Sequence, residues 1–140
     1  MPWSLGRRLR YLALAATTIG LGLAVHLGGR GLPPTLRDVL GDALWAAMIF
    51  WWTGVAVPTA RVWARAIGAL AFAYAVELSQ LLHTSALDAL RRSTLGHLVL
   101  GSDFDARDLA FYAIGVGAAA LLDQFFVGRA ARSPARTELD

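Results

Sequence analysis

Val62–Leu82 reads VWARAIGALAFAYAVELSQLL. A run of this length and apolarity matches the ~20 residues that a helix needs to cross a ~30 Å hydrocarbon core. Near its end it carries Glu77 and Gln80, one helical turn apart. An ionisable group inside such a segment costs ~2.5–3.5 kcal/mol at the bilayer centre, so it marks a site of interest. Three further stretches have the same character: Tyr11–Leu27, Val39–Val57 and Leu109–Val127. Only helices and closed barrels satisfy every backbone group in lipid. Four segments are too few for a barrel, and none alternates with period two. The reading is an all-α integral membrane four-helix bundle. Residues 1–127 form a single four-helix transmembrane domain, and residues 128–140 a polar cytoplasmic tail.

The composition agrees. Hydrophobic residues make up 56% and charged residues 16% of the chain, and the mean hydropathy is +0.51. Soluble globular domains carry about 25% charge, so an ordinary soluble enzyme, a disordered tail and a coiled coil are disfavoured. Cysteine is absent, which excludes disulfides, thiolate metal sites and Cys nucleophiles. The net charge is +3 and every basic residue is Arg. That basicity suits topology-setting flanks better than nucleic-acid binding.

Orientation follows from the flanks. With the N-terminus inside, the inner side holds Arg7, Arg8, Arg10, Arg61, Arg65, Arg129, Arg132 and Arg136. The outer side holds Arg30, Arg37, Arg91, Arg92 and Arg107. The excess puts both termini in the cytoplasm, as expected for a multi-pass protein of the inner (cytoplasmic) membrane. Arg7 to Val25 has the charge and apolar core of a signal peptide. No small-x-small cleavage pattern follows it, so an uncleaved first helix is the expectation. Thr35 offers a hydroxyl cap for the second helix, with Asp38 three residues on. The connection His83–Arg107 is a long outer loop between helices 3 and 4. Its leucines suggest an interfacial or re-entrant segment, and Asp105 or Ser102 can cap the helix that follows.

The polar residues cluster by end. Asp38 and Asp42 fall in the first outer turns of helix 2, with Trp45 on the same face. Glu77 and Gln80 stand at the outer end of helix 3, with Tyr74 a turn deeper. Asp108 and Tyr112 begin helix 4, and Gly115 continues their face. His26, His83 and His97 fall on the same side, and Asp123 lies near the cytoplasmic end. First-turn aspartates suit the helix dipole without any further role. Glu77, near a helix C-terminus, needs a partner: Arg37, Arg91 or a proton. Metal binding draws no support from His spacing. Trp45, Trp51, Trp52 and Trp63 read as bundle or interface anchors. Gly115, Gly117 and Ala119 read as a small-residue packing face.

Four runs carry a family resemblance: Arg37-Asp38-Val-Leu-Gly-Asp42-Ala-Leu-Trp45, Val76-Glu77-Leu-Ser-Gln80, Leu87-Asp88-Ala-Leu-Arg91 through Gly101, and Phe104-Asp105-Ala-Arg-Asp108-Leu-Ala-Phe-Tyr112. Together they resemble the bacterial YjgA-like membrane family, a domain of unknown function, over about residues 30–123. More broadly the chain is similar to VanZ-like proteins, of which one member is linked to teicoplanin resistance. Their pattern is Glu-x-x-Gln, an Arg, then Asp-x-x-x-Asn-x-x-Gly. Glu77 and Gln80 match its first element and Arg91 its second. Asp108, Tyr112 and Gly115 match its third, with Tyr in place of Asn. The likeness implies a shared architecture and an outward-facing polar site.

Three functions compete. The first is a pocket for an amphiphilic envelope molecule, such as a lipid-linked precursor or a lipophilic glycopeptide. There Glu77 acts as catalytic proton carrier, Arg37 and Arg91 hold anionic groups, and Asp38, Asp42, Gln80, Asp108 and Tyr112 bind or orient the ligand. The second is a small proton- or ion-coupled transporter using Glu77 and Asp123, although Asp123 lies ~20 Å below Asp108 and no inverted repeat is visible. The third is a structural or accessory subunit whose polar residues are glue. The implied partners are the lipid bilayer and an amphiphilic ligand, with a homo-oligomer as an option. No nucleic acid, metal or other cofactor is implied, and whether the protein is an enzyme is left open.

Overall fold

A computed structural model describes residues 2–101 and 103–127, without the side chains of residues 2, 3, 30, 98, 126 and 127. The tail 128–140 (with Arg129, Arg132 and Arg136), Ser102 and the Arg30 side chain lie outside the described residues. Every regular element described is helical: α1 (Pro2–Gly28), α2 (Pro34–Ala56), α3 (Val62–Ser79), α4 (Ser85–Arg91), α5 (Thr94–Leu100) and α6 (Ala106–Leu122). A 3₁₀ turn follows α1 at Gly29–Gly31, and α6 runs on into a π-helical turn, Asp123–Val127. Four segments are long and apolar enough to cross a membrane: Ser4–Gly28, Pro34–Ala56, Val62–Ser79 and Ala106–Phe125. These are the four stretches read from the sequence, with α1 and α2 starting earlier than their apolar cores.

The start of α2 differs from expectation. Thr35 does not cap it; Pro33 is the N-cap and Pro34 takes the first helical position. Proline there has no N–H to leave unpaired, and its ring presets the helical φ, so no side-chain cap is needed. At α6 the expected cap forms, with the Asp105 carboxylate accepting from the Arg107 N–H at 2.9 Å.

The long spans alternate in direction. Gly28, Pro34, Ser79 and Ala106 share one end, here called upper, and Arg7, Val57, Val62 and Leu122 the other. Helix α2 is the hub and packs against α1, α3 and α6, while α3 also packs against α6. The core is built from Phe50 and Trp51 of α2, Ala69 and Ala73 of α3, and Val116 and Ala119 of α6. Outward faces are apolar instead of polar: Ile67, Phe72, Ile114 and Leu121 are exposed, as lipid contact requires. Trp51 is in the core and Trp45 packs on Tyr112 with ring centroids 5.3 Å apart, whereas Trp52 and Trp63 are exposed anchors.

Small residues let these helices approach closely. A Cβ on Gly115 would lie 2.1 Å from the Ala43 carbonyl oxygen. A Cβ on Gly117 would meet nothing within 4 Å, so only part of the expected small-residue face is used. Gly115→Ala should push α6 off α2 and destabilise the fold by about 1–3 kcal/mol, while Gly117→Ala should be neutral. Unfolding in mixed detergent micelles checks both.

The connection between α3 and α6 is not a free loop. It folds as α4 and α5, each capped by a hydroxyl: Thr84 accepts from Leu87 N–H and Ser93 from Gly96 N–H. Gly101 ends α5 with φ +65°, a left-handed conformation that favours glycine. A Cβ there would also lie 2.6 Å from Gln80 Nε2, so this glycine lets the connection close over the end of α3.

Candidate functional site

Glu77 faces inward from the last turn of α3 and has no solvent exposure. Three donors converge on it. The Tyr112 hydroxyl donates to Oε2 at 2.8 Å and Gln80 Nε2 to the same oxygen at 3.1 Å. The Asp105 backbone N–H donates to Oε1 at 2.8 Å. One carboxylate thus ties α3 to α6 and to the residue that caps α6. The partners expected for Glu77 were Arg37, Arg91 or a proton; among the described contacts neither arginine reaches it. Neutral donors from nearby backbone and side chains reach it, and each keeps its own geometry inside the bundle.

Arg91 is engaged elsewhere. It is buried, and its Nη2 donates to the Ser79 carbonyl at 2.6 Å. Its Nη1 donates to the Leu82 carbonyl at 2.9 Å and to Asp88 Oδ1 at 3.3 Å. The C-terminal end of α3 carries a partial negative charge, and carbonyls there and just beyond accept from the guanidinium. Arg91 therefore fastens α4 under the end of α3.

Above Glu77 the upper end opens into a cavity of about 560 Å³. Arg37, Asp38, Asp42, Gln80, Asp108 and Tyr112 all line it. Glu77 lies behind this wall, and Arg91 is not part of it. Side chains that the sequence reading did not include in the pocket also line it: His97, Asp103, Asp105 and Arg107, with His26 on the α1 side. His83 is instead exposed, 3.8 Å from Asp88. Asp42 of α2 and Asp108 of α6 both line the cavity, close enough to influence each other electrostatically. Arg107 holds Asp105 through Nε and Nη2, the latter at 2.6 Å. That contact holds the Asp105 carboxyl below its usual range. Gln80 is 5% exposed, and its Oε1 has no hydrogen-bond partner among the described residues.

The lower end holds a second buried charge pair. Arg65 and Asp123 are ion-paired, with side chains 2% and 3% exposed. The guanidinium carbon sits 4.7 Å from the Tyr11 ring centroid and 5.1 Å from that of Phe50, a favourable cation–π setting. Gly54 makes the room, since a Cβ there would lie 2.7 Å from Tyr11 and 2.8 Å from Arg65 Nη1. The sequence reading took Arg65 as a topology flank and left Asp123 without a counter-charge. The overlooked signal was an arginine one turn inside a span, with a glycine on the neighbouring helix.

No solved structure matches the chain. A family model described as a protein of unknown function, DUF2809, matches residues 32–116. That range holds α2 to α5 and α6 as far as Val116, and so most of the cavity wall; α1 and Asp123 lie outside it. With more than half of its length matched, the chain belongs to the DUF2809 family.

Proposed function

We propose that the upper cavity is an outward-facing binding site for the polar head of an amphiphilic envelope molecule, whose apolar part lies along the spans. The observation that carries this reading is the cavity itself, which gathers polar side chains at one end of a bundle with an apolar surface. The arginine bias between the flanks supports an outward orientation of that end. The VanZ-like Glu77-x-x-Gln80 pattern fits with a changed division of labour. Gln80, Asp42, Asp108 and Tyr112 face the ligand, and Glu77 holds the wall in place behind them. Arg37 is the guanidinium left for an anionic group. Asp123 is tied to Arg65, an arrangement that adds no support to the transporter reading.

Cavity filling tests this. Gly41 lines the cavity, and a Cβ there meets nothing within 4 Å. Gly41→Phe should keep the melting behaviour of the parent chain yet lose a co-purifying amphiphile in native mass spectrometry. The second reading, a purely stabilising polar network, is favoured by the three donors on buried Glu77 and the two helix-end carbonyls held by buried Arg91. It predicts the same co-purifying lipids for both chains.

A further inference from the structure

We infer that α5 is a two-faced wall between the cavity and the bilayer, with Leu95 and Val99 seated in the hydrocarbon edge of the leaflet at the upper end. This lipid contact lies outside the four spans and is independent of whether the cavity holds a ligand. His97 lines the cavity. Leu95 and Val99 stand two residues to either side of it, which on a helix is close to the opposite face. Both are exposed, Leu95 at 76%. Apolar side chains left bare in this way gain free energy when an apolar surface takes them out of water.

Two further observations say which surface that is. Leu78 on the last turn of α3 is exposed, and so are Leu81 and Leu82 just beyond it and Leu90 on α4. The outward apolar surface of the third span therefore continues past its end into the connection that holds α5. Arg91 sets the level. Its guanidinium donates to the Ser79 and Leu82 carbonyls at 2.6 and 2.9 Å, which keeps α4 at the height where the span ends. Helix α5 packs on both α4 and α3 and so shares that height. An amphipathic element at this depth buries its apolar side about 5–10 Å into the boundary between headgroups and acyl chains. Exposed Arg92, the residue that ends α4, suits the same boundary, because a long arginine stem lets the charge reach the headgroups.

The chain has no cysteine, so single cysteines can carry a nitroxide label in proteoliposomes. Leu95→Cys and Val99→Cys report the outward face, His97→Cys the cavity face, and Phe72→Cys, on the exposed side of α3, serves as the lipid reference. Power saturation compares collisions with oxygen, which concentrates among acyl chains, and with a nickel chelate, which stays in water. At Leu95 and Val99 oxygen should lead nickel several-fold, as at Phe72, and at His97 it should lose that lead. Both outward positions are exposed, so the parent fold is expected in each variant, and each reads the face without the other. Nickel-dominated collisions at either one mean a solvated helix and overturn the inference. An oxygen lead at His97 equal to that at Leu95 and Val99 means a helix sunk in lipid on every side, and overturns the two-faced placement. Few collisions of either kind at Leu95 and Val99 mean a protein contact, with a second copy of the chain where the spectra also broaden, and overturn it too. In each of these failures the binding reading stands, since its own test does not involve α5.

Discussion

Glu77→Ala is expected to be the most damaging single substitution at the upper end. It strips the acceptor from the Tyr112 hydroxyl, from Gln80 Nε2 and from the Asp105 N–H at once. Each orphaned buried donor costs about 1–3 kcal/mol, so a loss of at least about 3 kcal/mol follows for the three, enough to deplete folded protein. Glu77→Gln keeps one carbonyl oxygen but turns an NH₂ toward a donor, and should cost an intermediate amount. The cause is separable by a double mutant. Tyr112→Phe removes one orphan, so its added cost in the Glu77→Ala background should be smaller than in the parent chain. Denaturant titration in mixed micelles reads all four proteins. Additive losses would mean that the 2.8 Å contact carries little energy.

The second large effect is at the lower end. Arg65→Met leaves Asp123 as an uncompensated buried carboxylate, and Asp123→Leu leaves the guanidinium without its counter-ion. Breaking one side of a buried pair typically costs about 3–5 kcal/mol. The double variant, Arg65→Met with Asp123→Leu, should recover most of the stability, because the pair offsets much of its own desolvation. Arg65 also lies against Tyr11 and Phe50, so Met is chosen to keep that packing. A double variant as unstable as either single one would show that the pair specifies the lower-end packing beyond its charge balance.

How much of this was legible in the sequence varies by residue. Apolar length gave the four spans, and the position of each polar residue along its span gave the correct end. Periodicity assigns a residue to a face and a depth, but not to a neighbour on another helix. Glu77 shows the limit, because its partners include a backbone N–H at Asp105, which no pattern of side chains encodes. Arg91 shows it again. Its charge suggested a ligand, whereas the exposed carbonyls at Ser79 and Leu82 lie within its reach. Arg65 read as a flank because hydropathy windows tolerate one arginine near a span's start. Thr35 failed as a cap because Pro33 and Pro34 had already settled where α2 begins.

The contact between Gly115 and Ala43 bears on what the cavity can hold. Ala43 follows Asp42 on α2, and Gly115 lies about two turns below Asp108 on α6. Backbone already rests against backbone at that crossing, so the two carboxylates form a vice with fixed jaws. Under the binding reading, it would suit a compact guest better than a bulky one. The wall opposite belongs to α1, whose upper turns make no side-chain bond to another helix among the described residues. Under the binding reading, extra room for a bulkier guest would have to come from that wall, which is built from Gly22, Val25 and His26.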